Sequence, residues 1–274
     1  MMKFYAPLAK PLAQLVLLFS LLIISGCASV PGPKNEKDPL ESYNRAMFAF
    51  NDAIDRNLVK PVAETYRDTM PQPVQTGVSN FFSNLDDIFV FLNDLLQFKL
   101  GQAVSDFSRL VWNSTVGLGG LIDVATPMGL PKHNEDLGQT LAVWGIGDGP
   151  YIVLPLLGPS TLRDTGGLLI ESPHHPVNEI EDNETYWATL ALMTIDKRAQ
   201  LLGASKVVEE AALDRYVFIR DAYLQHRLSL IHDGNPPRTK RDFQLDKPAS
   251  KEELELEQEL ELELERELQS PAKP

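Results

Sequence analysis

Ile24-Ser25-Gly26-Cys27 limits what this chain can become more than any other stretch. Cys27 is the only cysteine among 274 residues, and it closes an apolar run, Leu12 to Ile24, that follows Lys3 and Lys10. A basic start, a short apolar centre and small residues before a cut site make residues 1–26 a secretory signal peptide. A cysteine directly after the cut is what bacterial lipoproteins acylate. The alternatives are an ordinary signal peptide that happens to contain Cys, or a membrane helix. The second fits poorly, because the run is about 13 residues and a span needs about 20. With Cys27 acylated, no thiol remains for a disulfide, and the fold must rest on its core in an oxidising compartment.

The anchor sets where the body works. One acyl chain of the myristoyl class holds a membrane marginally and two signals hold it stably, so a diacylglyceryl group plus an N-acyl chain prevents release. Ala28 follows the cysteine in place of the Asp that retains enteric lipoproteins in the inner membrane, which favours the periplasmic face of the outer membrane. Residues 27–37 form a lipidated linker with Pro31, Gly32 and Pro33. Ten extended residues reach roughly 33 Å, so the body is expected on or in the membrane surface. The leader holds two lysines and no acid, so the mature charge is −15 against −13 for the whole sequence. Lys251 to Glu267 alone carries nine Glu, one Lys and one Arg. No dense basic patch exists to neutralise phosphates, which argues against nucleic acid as a partner.

Residues 38–234 are long enough for one domain, and 235–274 read as a charged, low-complexity tail. The body patterns as helices broken often by Gly and Pro, giving an all-α fold. Asp38-Pro39-Leu40-Glu41 has the spacing of a capped helix start, and Leu40, Tyr43, Met47, Phe50 and Ile54 form one apolar stripe behind it. Further helices are expected over Val74 to Phe82, Ile88 to Phe98 (apolar nearly all round), Leu100 to Ser114, Glu135 to Val143 capped by Asn134, Thr161 to Glu171 capped by Ser160, Tyr186 to Leu202, and Ser205 to Leu230. Only Tyr151 to Leu157 looks like a strand, and Pro155 interrupts it. The Glu/Leu alternation of Glu255 to Leu268 has a strand period but uses helix-forming residues. It is read as disordered or transiently helical.

Signatures of chemistry are sparse. The five histidines make no His-Glu-x-x-His pair, and a lipidated Cys27 offers no thiolate, so neither a metal site nor a cofactor is expected. His174-His175 between two prolines reads as an exposed turn. No Gly-x-Ser-x-Gly elbow is present, and the acidic pairs Glu135-Asp136 and Glu209-Glu210 point to different helix sides. No catalytic residue is assigned. Trp144-Gly145-Ile146-Gly147-Asp148-Gly149-Pro150-Tyr151 is conspicuous, since three glycines in five positions permit positive φ. It reads as a wide loop or, more sharply, a mobile hairpin or hinge. Trp112, Trp144 and Trp187 suit a membrane interface or a core equally.

The order of motifs resembles the MlaA (VacJ) family of outer-membrane lipoproteins. The likeness is carried by Asp38-Pro39-Leu40-Glu41, Asn44-Arg45, Met47-Phe48, Arg67-Asp68, Pro71-Gln72-Pro73, Gly77 and Ser79-Asn80-Phe81. It continues in Gly117 to Gly120, Ile122 to Ala125, Glu135 to Leu141, Gly145 to Pro155, Thr161 to Asp164 and Arg198 to Leu202. The resemblance implies a non-enzymatic role: a helical ring embedded in the inner leaflet of the outer membrane. Its amphipathic channel admits phospholipid misplaced in the outer leaflet, preserving lipid asymmetry. It also implies association with a trimeric porin and transfer to an MlaC-like periplasmic lipid shuttle. By family position, Gly145, Gly147 and Gly149 lie in the loop that borders the channel and gates it. Met47, Phe48, Phe50 and Asn51 fall in a ring helix that controls lipid direction. The alternatives from other classes are an envelope lipid or peptidoglycan hydrolase and a structural porin-associated lipoprotein.

Overall fold

The computed structural model describes residues 38–237. The leader, Cys27 with its linker, and the Glu/Leu tail lie outside the described residues. Residues 38–231 belong to one compact unit, and His232 begins a second. The first unit is helical, as the periodicity predicts: α1 (Glu41–Ile54), α2 (Lys60–Thr69), α3 (Gln72–Leu96), α4 (Leu100–Thr115), α5 (Leu137–Val143), α6 (Leu162–Glu171), α7 (Asn183–Gln200), α8 (Leu202–Ala211) and α9 (Arg215–Ile231). One antiparallel hairpin interrupts the helices, β1 (Tyr151–Leu154) with β2 (Gly158–Thr161), in the register Tyr151 opposite Thr161. Pro155 falls in the hairpin loop, where its missing N–H costs no ladder bond.

Several boundaries move, each for a physical reason. Asp38 does not cap α1. Its carboxylate turns inward, accepting from Asn44 at 2.8 Å, from Arg220 at 3.2 Å and from the Tyr216 hydroxyl. After α1 a π-turn over Asp55–Val59 leads into α2, where Pro61 sits in the first turn and needs no N–H partner. The two helices expected between Val74 and Phe98 are one, α3. Asp136 caps α5 in place of Asn134, and Thr161 caps α6 in place of Ser160. Ser160 is buried in β2 and bonds Thr165 at 2.9 Å. The long final helix breaks at Asp214, whose carboxylate accepts from the Tyr216 and Val217 N–H groups.

The larger departure concerns which faces are inside. An amphipathic helix normally turns its apolar stripe to the core. In α4 most of the expected stripe (Leu100, Ala103, Val104, Phe107, Leu110, Val111, Ser114) faces out: Leu100, Val104, Phe107 and Val111 are exposed, Val104 by 68%, and of the stripe Ala103 alone is buried, beside Asp106, Arg109 and Asn113. The α3 segment that looked apolar all round buries Val90, Asn93 and Asp94 and exposes Leu92, Leu95 and Leu96. On α1, Leu40 and Phe50 are exposed and the buried residue is Asn44. Among the described residues, twenty buried side chains are polar or charged and eleven are apolar, a ratio that reverses the usual interior. An apolar cluster survives around Tyr151, Val153 and Tyr216, with Met47 and Phe48 packed against it.

Candidate functional site

The site begins with two asparagines on α1. Asn44 donates to Tyr151 O at 3.0 Å and accepts from Val153 N at 2.8 Å. Asn51 donates to Leu154 O at 2.9 Å and accepts from Leu156 N at 2.8 Å. Seven helical residues rise ~10.5 Å, about the span of three extended residues, so two amides two turns apart reach β1 and the hairpin loop that follows it. Each amide satisfies one backbone carbonyl and one backbone N–H. Of the first-helix residues singled out above, Asn51 thus holds the hairpin, Met47 and Phe48 pack beneath it, and Phe50 points outward. Phe48 meets Tyr216 edge-on at 5.8 Å.

The glycine segment leads directly into β1, so the two predicted regions form one assembly. Its three glycines do different things. Gly145, at φ +90°, ends α5: its N–H bonds Ala142 O and the Ile146 N–H bonds Leu141 O, both at 2.9 Å, the paired closure of a Schellman stop. Gly149, at φ +67°, lies where a Cβ would come within 3.0 Å of Leu162. Gly147 has open space around it and no positive φ. Trp144, exposed like Trp112 and Trp187, reaches back through its indole N–H to Leu96 O at 3.1 Å.

A charge relay fixes the far side of this segment. Asp148 pairs with Arg163, Arg163 with Asp164 at 2.8 Å, Asp164 with Arg227 at 3.0 Å, and Arg227 with Asp136 at 2.5 and 2.9 Å. Burial works to raise both Asp136 and Asp164. The guanidinium groups beside them, Arg227 above all, more than offset it and leave each below the usual carboxylate range. Asp148 is the exposed member, at 61%. Sequence reasoning missed this relay, since its ends, Asp136 and Arg227, stand 91 positions apart with no local signature.

A second polar seam joins α3, α4 and the segment before α5. Lys132 pairs with Asp87, His133 Nδ1 meets Asp106 at 2.7 Å, Lys99 pairs with Glu135 at 2.8 Å, and Gln97 donates to Glu135 and Thr140. Asp94 lies wholly buried here. Burial, then the neighbouring Asp106 carboxyl, raises its pKa to about 8. His175 is not the free turn expected: it stacks on Phe89 at 5.9 Å and meets Asp86 at 3.2 Å. Among the described residues, no group of His, Asp and Glu is arranged to hold a metal, and no helix is long and apolar enough to cross a membrane.

A helical body with polar side chains inside and apolar ones outside belongs to the class of proteins whose surface meets another apolar surface, protein or membrane. The family of MlaA lipoproteins matches residues 36–229, and the chain belongs to it. It is 37% identical to the intermembrane phospholipid transport system lipoprotein MlaA of Escherichia coli K12, over 81% of this chain and 89% of that one. The protein of the same description in Haemophilus influenzae is 29% identical over 85% and 95% of the two chains. A solved structure described as the structural basis for maintenance of bacterial outer membrane lipid asymmetry aligns with a TM-score of 0.62 and 34% identity, covering 72% of this chain and 99% of its own.

Proposed function

We propose that this chain carries phospholipid between membranes to keep the outer membrane asymmetric. It takes up lipid misplaced in the outer leaflet through an amphipathic path inside a ring-shaped helical body. That body sits in the inner leaflet, is held there by acylated Cys27, and works beside a trimeric porin. The lipid then passes to an MlaC-like periplasmic shuttle. The observation that carries this reading is the reversed patterning of α3 and α4. Apolar exteriors suit a leaflet, and a polar interior suits a charged head group that would be costly to draw through hydrocarbon. The exposed indoles of Trp112, Trp144 and Trp187 suit an interfacial depth. The joined α1–hairpin–glycine assembly supplies a movable element, with Gly147 its least constrained point.

The deciding experiment deletes the chain and measures outer-leaflet phospholipid. An increase reversed by the wild type supports transport; no increase overturns it. Gly147→Pro, at the one glycine of the three with neither a positive φ nor a close neighbour, is expected to impair rescue with the protein folded and lipidated. Full rescue would remove the hinge from the mechanism. Cys27→Ala is expected to leave an uncleaved precursor, and normal outer-membrane placement of that variant would contradict the anchor.

A further inference from the structure

A cavity of about 380 Å³, within the range of small-molecule sites, is lined in part by Arg67, Gln72, Ser79, Asn80, Asp196 and Gln200. Its walls are braced. Gln75 Nε2 donates to Arg67 O at 2.9 Å and Met70 O at 2.7 Å, fixing the turn before α3. Gln200 Nε2 donates to Ser79 at 2.7 Å, tying α7 to α3. Two lining groups are oppositely charged. Asp196 is buried, with its oxygens accepting from the Tyr66 hydroxyl at 3.2 Å and from Gln200 at 2.7 Å. Neither donor is a cation, and the neighbouring Lys197 pairs with Asp86 instead. Burial raises the Asp196 pKa by more than the bonds from Gln200 and Tyr66 and the charge of Lys197 together lower it, as expected of a carboxyl with no direct ion pair. Arg67 is about half exposed and its described side-chain bond runs from Nε to Asp68 at 2.9 Å. That leaves the outer edge of the guanidinium, which suits phosphate. The smaller cavity, about 190 Å³ around Arg227, differs because two of its three carboxylates, Asp136 and Asp164, already engage that guanidinium and the third, Glu171, accepts from Asn93 and the Leu137 N–H. Met70, Val74 and Leu201, next to the turn and to Gln200 in sequence, are exposed and apolar.

We infer that this cavity holds the zwitterionic phosphoethanolamine head group of a phospholipid, phosphate on Arg67 and ammonium on Asp196. The inference rests on the transport reading and adds a head-group preference to it. An ammonium supplies N–H donors together with the positive charge that neither Tyr66 nor Gln200 brings to this buried carboxylate. A glycerol head group supplies hydroxyls without charge, and a choline supplies charge without N–H donors.

The test uses the full lipoprotein in detergent, equilibrated with mixed micelles of equimolar phosphatidylethanolamine and phosphatidylglycerol, followed by extraction of bound lipid. The wild type is expected to favour phosphatidylethanolamine on the order of fivefold. Asp196→Asn, which keeps shape and an acceptor, should bring the ratio near parity; Arg67→Gln, on a half-exposed side chain, should lower both lipids together. Soluble glycerophosphoethanolamine should displace the lipid where inorganic phosphate at equal concentration does not. Parity in the wild type, an unchanged ratio in Asp196→Asn, undiminished binding in Arg67→Gln, or equal displacement by phosphate each overturns the assignment. Rescue of the deletion strain separates the two layers. Rescue with parity removes the head-group site alone, and failure of the wild type to rescue removes the transport reading.

Discussion

Asp94 carries a cost that can be read out by pH. Its carboxyl is buried beside Asp106 and Glu135 and titrates near 8 in the folded chain, against about 3.9 for an unperturbed aspartate. Between those values the folded state binds the proton and the unfolded state has lost it. Stability therefore falls as pH rises from about 4 to about 8. In the purified lipoprotein, the thermal midpoint of the wild type should drop between pH 5 and pH 8, and Asp94→Asn should flatten that drop. Parallel slopes for the two proteins would remove Asp94 from the account. Gly138 makes a steric prediction at the same scale. A Cβ there would stand 2.6 Å from Asp164 Oδ1 and 2.8 Å from Arg227 Nη2, atoms locked by their own ion pairs and unable to give way. Gly138→Ala should cost about 1–3 kcal/mol by denaturant unfolding; Gly166→Ala, with open space around it, provides the matched control.

The hairpin is an element that cannot stand alone, because a two-stranded ribbon is marginal in water, and α1 completes it through Asn44 and Asn51. Asn44 is fully buried and its loss strands a carbonyl and an N–H. Asn44→Ala is expected to destabilise by about 2–4 kcal/mol, and Asn51→Ala, on a half-buried side chain, by less. Hydrogen exchange of the Val153 and Leu156 amides should rise selectively in the respective variants; uniform change across the body would contradict the pairing. The helices of this body were legible from period and punctuation. The ladder was not, although Asn44 stands in a motif that carries the family resemblance and Asn51 in the ring helix that resemblance implies. A side-chain amide pairing with a strand 107 residues away leaves no local trace. The cap assignments at Asn134 and Ser160 failed by one or two positions, since Asp136 and Thr161 beside them are equally good cap residues.

At the scale of the whole molecule, the sequence pattern states that α4 is amphipathic but not which side faces the protein. The spacing of apolar residues is the same whichever face turns inward, and only the surrounding medium decides between them. In water the stripe Leu100, Val104, Phe107 and Val111 would turn inward, and Asp106, Arg109 and Asn113 outward. Here the polar set is held inside by specific bonds. Arg109 reaches Thr126, Leu130 O and Asp123, and Asn113 accepts from the Val124 and Ala125 N–H groups. On the proposed membrane placement the exterior is matched to lipid, and a charge placed on it separates folding from membrane fit. Val104→Lys touches no buried group, so its effect on unfolding in detergent should stay within about 0.5 kcal/mol. Placing a lysine in hydrocarbon instead costs roughly 2.5–3.5 kcal/mol before snorkelling relieves it. The variant should thus be made, acylated and folded at wild-type levels, yet rescue outer-leaflet asymmetry poorly. The matched control is Lys206→Glu, on a surface lysine of α8 paired only with Glu210 at 3.9 Å, which should rescue fully. Equal rescue by Val104→Lys and Lys206→Glu would place the α4 stripe in water, and the inverted interior would then need another explanation.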